Sequence, residues 1–188
     1  MASDAIAFLD ALQISLATVV GHSFGSFVAR QMGIAHPHRV AGLVLIGTGF
    51  SASNPVTREV QKALLDLPDP IPVTFARDFQ ASTVHHPVPS DFFDQLVAES
   101  LKLPSRLWRL AIDRLVEYDD TQQLKTIGAP ILLVWGEKDA LFSRANQDDF
   151  LAAQPAARLK VYEDTGHCPN WERPELVATD IANFVQRT

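Results

Sequence analysis

The sequence predicts an α/β protein with about four parallel strands, flanking helices and a helical insertion. Short apolar runs typical of buried strands alternate with longer runs that repeat apolar residues at helical spacing. A proline-rich stretch without a strand-like run interrupts this alternation once. We therefore expect a core of residues 1–50 and 121–188, with a helical insertion over residues 51–120.

The first part of the chain reads as two helix–strand units. We predict a helix over residues 4–12, a strand over 17–20, a helix over 23–35 and a strand over 40–46. Both strands are apolar on both faces, which is typical of a parallel sheet covered by helices on each side. The second helix has to end before Pro37, because the residue before a proline disfavours the helical conformation.

The remaining elements follow the same reasoning. Within the insertion, helical patterns begin at Ser90 and Ser105. After Pro130 we predict a strand over 131–135, a helix over 143–153, a strand over 159–162 and a helix over 174–186. The carboxyl ends of parallel strands meet at one edge of the sheet, where ligands bind.

Composition narrows the function classes. The chain has 188 residues and a formal net charge of −6, which argues against nucleic acid as a partner. A single cysteine, Cys168, excludes an internal disulfide and favours a reducing compartment. The N-terminal stretch lacks a basic start and a long apolar run, so we expect neither a signal peptide nor a membrane span. These features favour a cytoplasmic location.

The segment Gly21-His22-Ser23-Phe24-Gly25 matches the pattern G-x-S-x-G between a predicted strand and a predicted helix. In that setting the serine sits on a sharp, strained turn, and its hydroxyl is exposed above the sheet. We expect both glycines to be needed because the turn is tight. The backbone amide of Phe24 then becomes a candidate oxyanion donor, while a purely structural turn is the alternative.

A serine needs a base to take its proton, and His167 is the strongest of six histidine candidates. It follows the last predicted strand and so lies at the same edge as Ser23. His22 is expected to point away from the nucleophile and to pack, although a substrate contact is open. His85 and His86 lie in the insertion and are expected at the surface.

The base in turn needs a carboxylate to orient it. Asp139 follows the strand at 131–135 and lies at a carboxyl end. Glu137 and Asp164 are rivals, but Glu137 comes early in its turn and is expected to be solvated. Asp164 lies only three residues before His167 and is expected to shape that loop.

Three stretches together resemble the α/β-hydrolase superfamily of esterases, enol-lactonases and C–C-bond hydrolases. They are VVGHSFGSFVARQMGIAHPHRVAGLVLIGTG, IGAPILLVWGEKDALF and YEDTGHCPNWERPELVATDIANFV. The resemblance implies a catalytic triad of Ser23, Asp139 and His167, in the chain order of that fold. It also implies that residues 51–120 form a cap over the active site.

The sequence departs from the family before Ser23, which in the family follows the fifth strand. Four preceding strands and the loop that supplies a second oxyanion amide have no counterpart here, which implies a partial fold. A truncated reading frame is the explanation we favour; a second chain or a natural fragment are the alternatives. The strand at 17–20 would then expose an apolar edge, through which the chain could form a homodimer or bind a partner.

The expected function is hydrolysis of an ester, thioester or lactone through an acyl-enzyme. C–C-bond hydrolysis by the same triad and a binding protein without turnover are the alternatives. We expect a small substrate with an apolar acyl part, and neither a cofactor nor a metal. Candidate substrate contacts are His22, Phe75, Phe79, Phe93 and Trp108, although packing between the helices alone would explain most of these aromatic residues.

Overall fold

A four-stranded parallel sheet forms the centre of the computed structural model, which describes residues 1–187. The strands, in sheet order, are β1 (Ala17–His22), β2 (Val40–Ile46), β3 (Ile131–Gly136) and β4 (Arg158–Tyr162). Every neighbouring pair is parallel, which confirms the predicted α/β class and sheet. Thr188, the last residue of the predicted core, lies outside the described residues.

Helices connect and cover these strands. Their bounds are α1 (Ala2–Ala11), α2 (Phe24–Ala35), α3 (Pro55–Leu64), α4 (Val73–Ser82), α5 (Ser90–Ser100), α6 (Ser105–Glu117), α7 (Arg144–Ala153), α8 (Pro169–Glu172) and α9 (Pro174–Val185). The patterns that begin at Ser90 and Ser105 correspond to α5 and α6, whereas α3, α4 and the single turn α8 have no counterpart among the individual helices predicted from the sequence. Among the described residues, no helix has the length and apolarity that crossing a membrane requires.

The core has one layer on each side of the sheet because successive residues of a strand face opposite sides. Leu43 and Leu45 of β2 pack on one side in a cluster with residues of α1, α2 and α7. Val44 and Ile46 face the other side and pack in a cluster with residues of α9. This arrangement explains why β2 is apolar along its whole length.

Residues 51–120 contain α3 to α6 and, within the described chain, no strand. They have an apolar cluster of their own, which includes Leu64, Ile71 and Val97. A second cluster, in which Leu115 packs with Phe27 and other core residues, attaches these helices to the sheet. The insertion is thus packed both internally and against core residues near the carboxyl ends of the strands.

One buried ion pair fixes the two ends of this insertion. Arg30 of α2 is fully buried and pairs with Asp120, which follows α6. The same guanidinium donates to the carbonyl oxygens of Gly49, at 2.8 Å, and Phe50, at 3.1 Å. The chain therefore leaves the core and returns to it around one side chain. Arg30 was not predicted from the sequence, because a single arginine on a helix does not reveal its burial.

Candidate active site

Three loops at the carboxyl ends of β1, β3 and β4 bring the predicted site residues together. Ser23 directly follows β1, Asp139 lies in the turn after β3, and His167 lies in the loop after β4. The parallel sheet places all three strand ends at one edge, as expected for a ligand site in such a sheet.

The three side chains form a continuous chain of hydrogen bonds. Ser23 Oγ lies 2.8 Å from His167 Nε2, and His167 Nδ1 lies 2.9 Å from Asp139 Oδ2. When Nδ1 carries the proton that Asp139 accepts, Nε2 is free to accept the serine proton. His167 and Asp139 are both buried, so water does not compete for these bonds.

Ser23 occupies a strained backbone position. Its φ of 50° and ψ of −121° are unusual for a residue with a side chain. The Ser23 N–H donates to the carbonyl oxygen of Ile46 at 2.9 Å, which ties the turn to β2. This conformation directs the hydroxyl out of the sheet and towards His167.

Only one of the two flanking glycines is required by space. A Cβ on Gly21 would lie 2.3 Å from the carbonyl oxygen of Gly25, so β1 and α2 can approach each other only with glycine there. A Cβ on Gly25 would meet nothing within 4 Å. The expectation that both positions must be small is therefore wrong for Gly25.

The start of α2 leaves backbone donors free beside the serine. Because α2 begins at Phe24, the Phe24 N–H has no carbonyl one turn earlier to bond within the helix. The helix also directs its positive end towards the serine. Both features suit a developing negative charge next to Ser23.

Asp139, and neither rival carboxylate, contacts His167. Its second oxygen, Oδ1, accepts the backbone N–H groups of Leu141, at 2.8 Å, and Phe142, at 3.0 Å. Glu137 is exposed, as expected. Asp164 instead binds His85 and His86, at 3.0 and 2.8 Å, and so joins its loop to the insertion.

Gly47, which directly follows β2, packs against the backbone of His167. Gly47 has a φ of +54°, and a Cβ there would lie 2.6 Å from the His167 carbonyl oxygen. A glycine immediately after a buried strand was the available signal. Cys168, next to His167, is fully buried, and burial raises its thiol pKa to about 12, as suits a packing residue.

His22 packs, as expected, and its ring lies beside that of the base. Its ring centroid lies 5.3 Å from that of His167 and 5.4 Å from that of Trp171. Burial, followed by the proximity of His167, lowers the pKa of His22 to about 4. His22 is therefore neutral near pH 7 and does not repel a proton on His167.

A cavity of about 310 Å³ opens next to Ser23. Apart from His22, Ser23 and Thr57 its lining is apolar, and none of the described lining residues is acidic, lysine or arginine. The predicted contacts His22, Phe79 and Trp108 do line it.

Two other predicted contacts do not line this cavity. Phe75 and Phe93 pack against the apolar cluster inside the insertion. Phe75 lies against Trp108, with ring centroids 6.0 Å apart, and Arg77 lies over the Phe93 ring. Aromatic residues on these short helices serve the packing of the insertion itself, and the sequence could not separate the two roles.

The sequence model of the alpha/beta hydrolase fold family matches residues 1–174. The chain belongs to this family. The matched residues include Ser23, Asp139 and His167, which are joined by hydrogen bonds, and the whole insertion.

Curated relatives are 25% to 29% identical to this chain over the aligned residues. A 2-hydroxy-6-oxononadienedioate/2-hydroxy-6-oxononatrienedioate hydrolase of Paraburkholderia xenovorans is 27% identical over 94% of this chain and 64% of its own length. A pimeloyl-[acyl-carrier protein] methyl ester esterase of Aromatoleum aromaticum is 29% identical over 90% of this chain and 74% of its own. An uncharacterized protein of Mycobacterium bovis is 27% identical, and the chain spans 59% of it.

Solved structures share the fold at lower identity. An esterase from Exiguobacterium antarcticum superposes with a TM-score of 0.89 at 20% identity, covering 99% of this chain and 72% of that one. The chain thus matches part of a longer fold, in agreement with the predicted partial fold.

Proposed function

We propose that this chain carries the catalytic centre of a serine hydrolase that cleaves esters, thioesters or lactones through an acyl-enzyme. The observation that carries the proposal is the unbroken chain of hydrogen bonds from Ser23 through His167 to Asp139. A serine hydroxyl alone is a weak nucleophile, and such a chain is the usual means of activating one.

In the proposed reaction, Ser23 Oγ attacks the carbonyl carbon while His167 Nε2 takes the serine proton. Asp139 holds the imidazole in the required tautomer and stabilises its positive charge. The Phe24 N–H donates to the oxyanion. His167 then gives its proton to the leaving group. In the second stage His167 takes a proton from a water molecule that attacks the acyl group, and it returns that proton to Ser23 Oγ as the acid leaves.

The cavity favours a substrate with a neutral, apolar acyl group. Its volume of about 310 Å³ lies at the small end of the range for ligand pockets. An apolar chain gains from burial there, whereas a carboxylate would lose its hydration without a cationic partner among the described lining residues.

We propose that residues 51–120 act as a cap, because helices α3 and α6 supply much of the cavity wall. Val60 and Leu64 of α3 and Trp108 and Leu115 of α6 line the cavity next to Ser23. The cap would then determine which acyl groups fit.

C–C-bond hydrolysis by the same three residues is the alternative within this enzyme class. The relative from Paraburkholderia xenovorans carries the name of a hydrolase of a dioate. A dioate carries two carboxylates, and the uncharged lining described here favours the ester instead. A binding protein without turnover is the alternative from another class.

Hydrolysis of p-nitrophenyl esters of increasing acyl length tests the proposal. We expect turnover of the neutral esters and a loss of about 10³-fold or more in Ser23→Ala. The matched control is Ser82→Ala, which removes an exposed hydroxyl that bonds only the Phe79 carbonyl oxygen. Equal rates in the Ser23→Ala variant and the wild type would exclude the acyl-enzyme, and an absence of turnover would favour the binding protein.

A further inference from the structure

Two histidines of the insertion and one aspartate of the core form a cluster outside the cavity. His85 and His86 lie in the loop between α4 and α5, and Asp164 lies in the loop after β4. Nε2 of His85 is 3.0 Å from one Asp164 oxygen, and Nε2 of His86 is 2.8 Å from the other. The side chains are 40% and 45% exposed for the histidines and 59% for the aspartate, so ions in solution can reach them.

The backbone on both sides of this cluster is held by bonds that do not involve it. The Glu172 carboxylate accepts the N–H groups of His86 and Gly166, each at 2.8 Å. The His167 N–H donates to the Thr83 carbonyl oxygen at 3.0 Å. The two loops therefore stay side by side without a contribution from the two imidazoles.

Gly166 is what permits so close an approach. A Cβ on this residue would lie 2.5 Å from the backbone nitrogen of His85, so any other residue would push the loops apart. The segment around the two histidines and the loop around Asp164 are thus positioned before anything binds between them, which lowers the cost of ordering a ligand site.

The atoms that face each other are those that zinc and similar ions prefer. Two imidazole nitrogens and a carboxylate form a common ligand set for Zn²⁺ and for neighbouring divalent ions such as Co²⁺ and Ni²⁺. Bond lengths of about 2.1 Å in a tetrahedral site place ligand atoms roughly 3.4 Å apart. One ligand atom from each of the three side chains already lies within 4.8 Å of the others, so adjustments of about 1 Å complete the site.

We propose that His85, His86 and Asp164 bind one divalent transition-metal ion, with Zn²⁺ as the best fit, at the junction of the insertion and the His167 loop. Each Nε2 that now donates to Asp164 gives up its proton to solvent or to Nδ1, so that the neutral imidazole keeps its proton on Nδ1 and coordinates through Nε2. Water completes the coordination. The ion links the insertion to the loop that carries His167. Its role is structural, because none of its three ligands lines the cavity.

The direct test is titration of the purified chain with ZnCl₂ by calorimetry at pH 7.5, and with CoCl₂ by visible absorption. We expect one equivalent with micromolar affinity, the absorption bands of tetrahedral Co²⁺, and a higher melting temperature with Zn²⁺. His85→Ala, His86→Ala and Asp164→Asn should each weaken binding at least about tenfold. His38→Ala is the matched control, since it removes an exposed histidine elsewhere, and its affinity should equal that of the wild type.

Two results would overturn the proposal: wild-type protein that needs millimolar Zn²⁺, or His86→Ala protein that binds as tightly as the wild type. Circular dichroism of each variant identifies one that has failed to fold, and the other two ligand variants then decide.

Discussion

The two edge strands of the sheet, β1 and β4, differ in sequence although each has one neighbour within residues 1–187. In β4 the exposed Arg158 and Lys160 alternate with less exposed residues, as is typical of a strand at the border with water. In β1 the sequence ATVVGH is apolar at its centre, and Val20 is nevertheless 48% exposed. An edge position thus suits β4, while β1 has the sequence of a strand from the middle of a sheet.

This difference divides the candidate site into two halves. His167 and Asp139 rest on β3 and β4, and both are buried and bonded at each polar side-chain atom. Ser23 follows β1, whose exposed surface is apolar. Relatives such as the esterase from Aromatoleum aromaticum are longer than this chain. The half that orients the base is therefore buried and fully hydrogen-bonded, whereas the nucleophile follows a strand with an exposed apolar residue.

Replacing Asp139 should have the largest effect and tests the half that orients the base. In Asp139→Asn the amide can donate to Nδ1 and so favours the wrong imidazole tautomer. We expect kcat to fall about 10³- to 10⁴-fold, measured as ester hydrolysis. Glu137→Gln is the matched control, because it neutralises an exposed carboxylate in the same turn. Similar losses in both variants would contradict the assignment of Asp139.

The glycines around Ser23 test the other half. Gly21→Ala places a Cβ against backbone atoms of α2, and we expect the free energy of unfolding to fall by about 3 kcal/mol. Gly25→Ala puts the same methyl group into open space, so the free energy of unfolding should change by less than about 1 kcal/mol. Urea denaturation of the two variants measures the contrast, and equal losses would show that the turn does not pack as described.

A pH dependence of stability should follow from His22. Its folded pKa of about 4 lies below the ordinary 6.5, so between these values the unfolded chain binds more protons than the folded one. The contribution of His22 to the free energy of unfolding is fully present above pH 6.5. It decreases as the pH falls towards 4, by roughly 3 kcal/mol at most. His22→Gln should reduce the change of the urea midpoint with pH between pH 4 and pH 6.5. If the midpoint of the variant depends on pH as strongly as that of the wild type, His22 titrates normally.

The exposed surface of β1 should produce the smallest effect. We expect the chain to self-associate weakly through β1, as the sequence predicted for residues 17–20. Val20→Lys places a charge there and should lower the sedimentation-average mass at high concentration. Leu176→Lys, an exposed apolar residue on α9, is the control. A monomeric wild type at every concentration would remove β1 from consideration as an interface.

The sequence predicted the sheet and the positions of Ser23, Asp139 and His167, because strand and turn signals are local. It missed Arg30, Gly47 and the cluster around Asp164, since each depends on contacts between residues far apart in the chain. The sequence leaves Phe75 and Phe93 open between substrate contact and helix packing, because both roles use the same aromatic residues. The predicted catalytic roles and the division into core and cap stay predictions until activity is measured.

Labelling with a fluorophosphonate, followed by peptide mass spectrometry, tests the central claim most directly. Such reagents phosphonylate a serine whose proton is taken by a neighbouring base. The hydrogen bonds from Ser23 through His167 to Asp139 predict a single adduct, on the peptide that contains Ser23. The adduct should form in Ser82→Ala and be absent in Ser23→Ala. An adduct on another residue, or wild-type protein that stays unlabelled, would contradict an activated serine at this position.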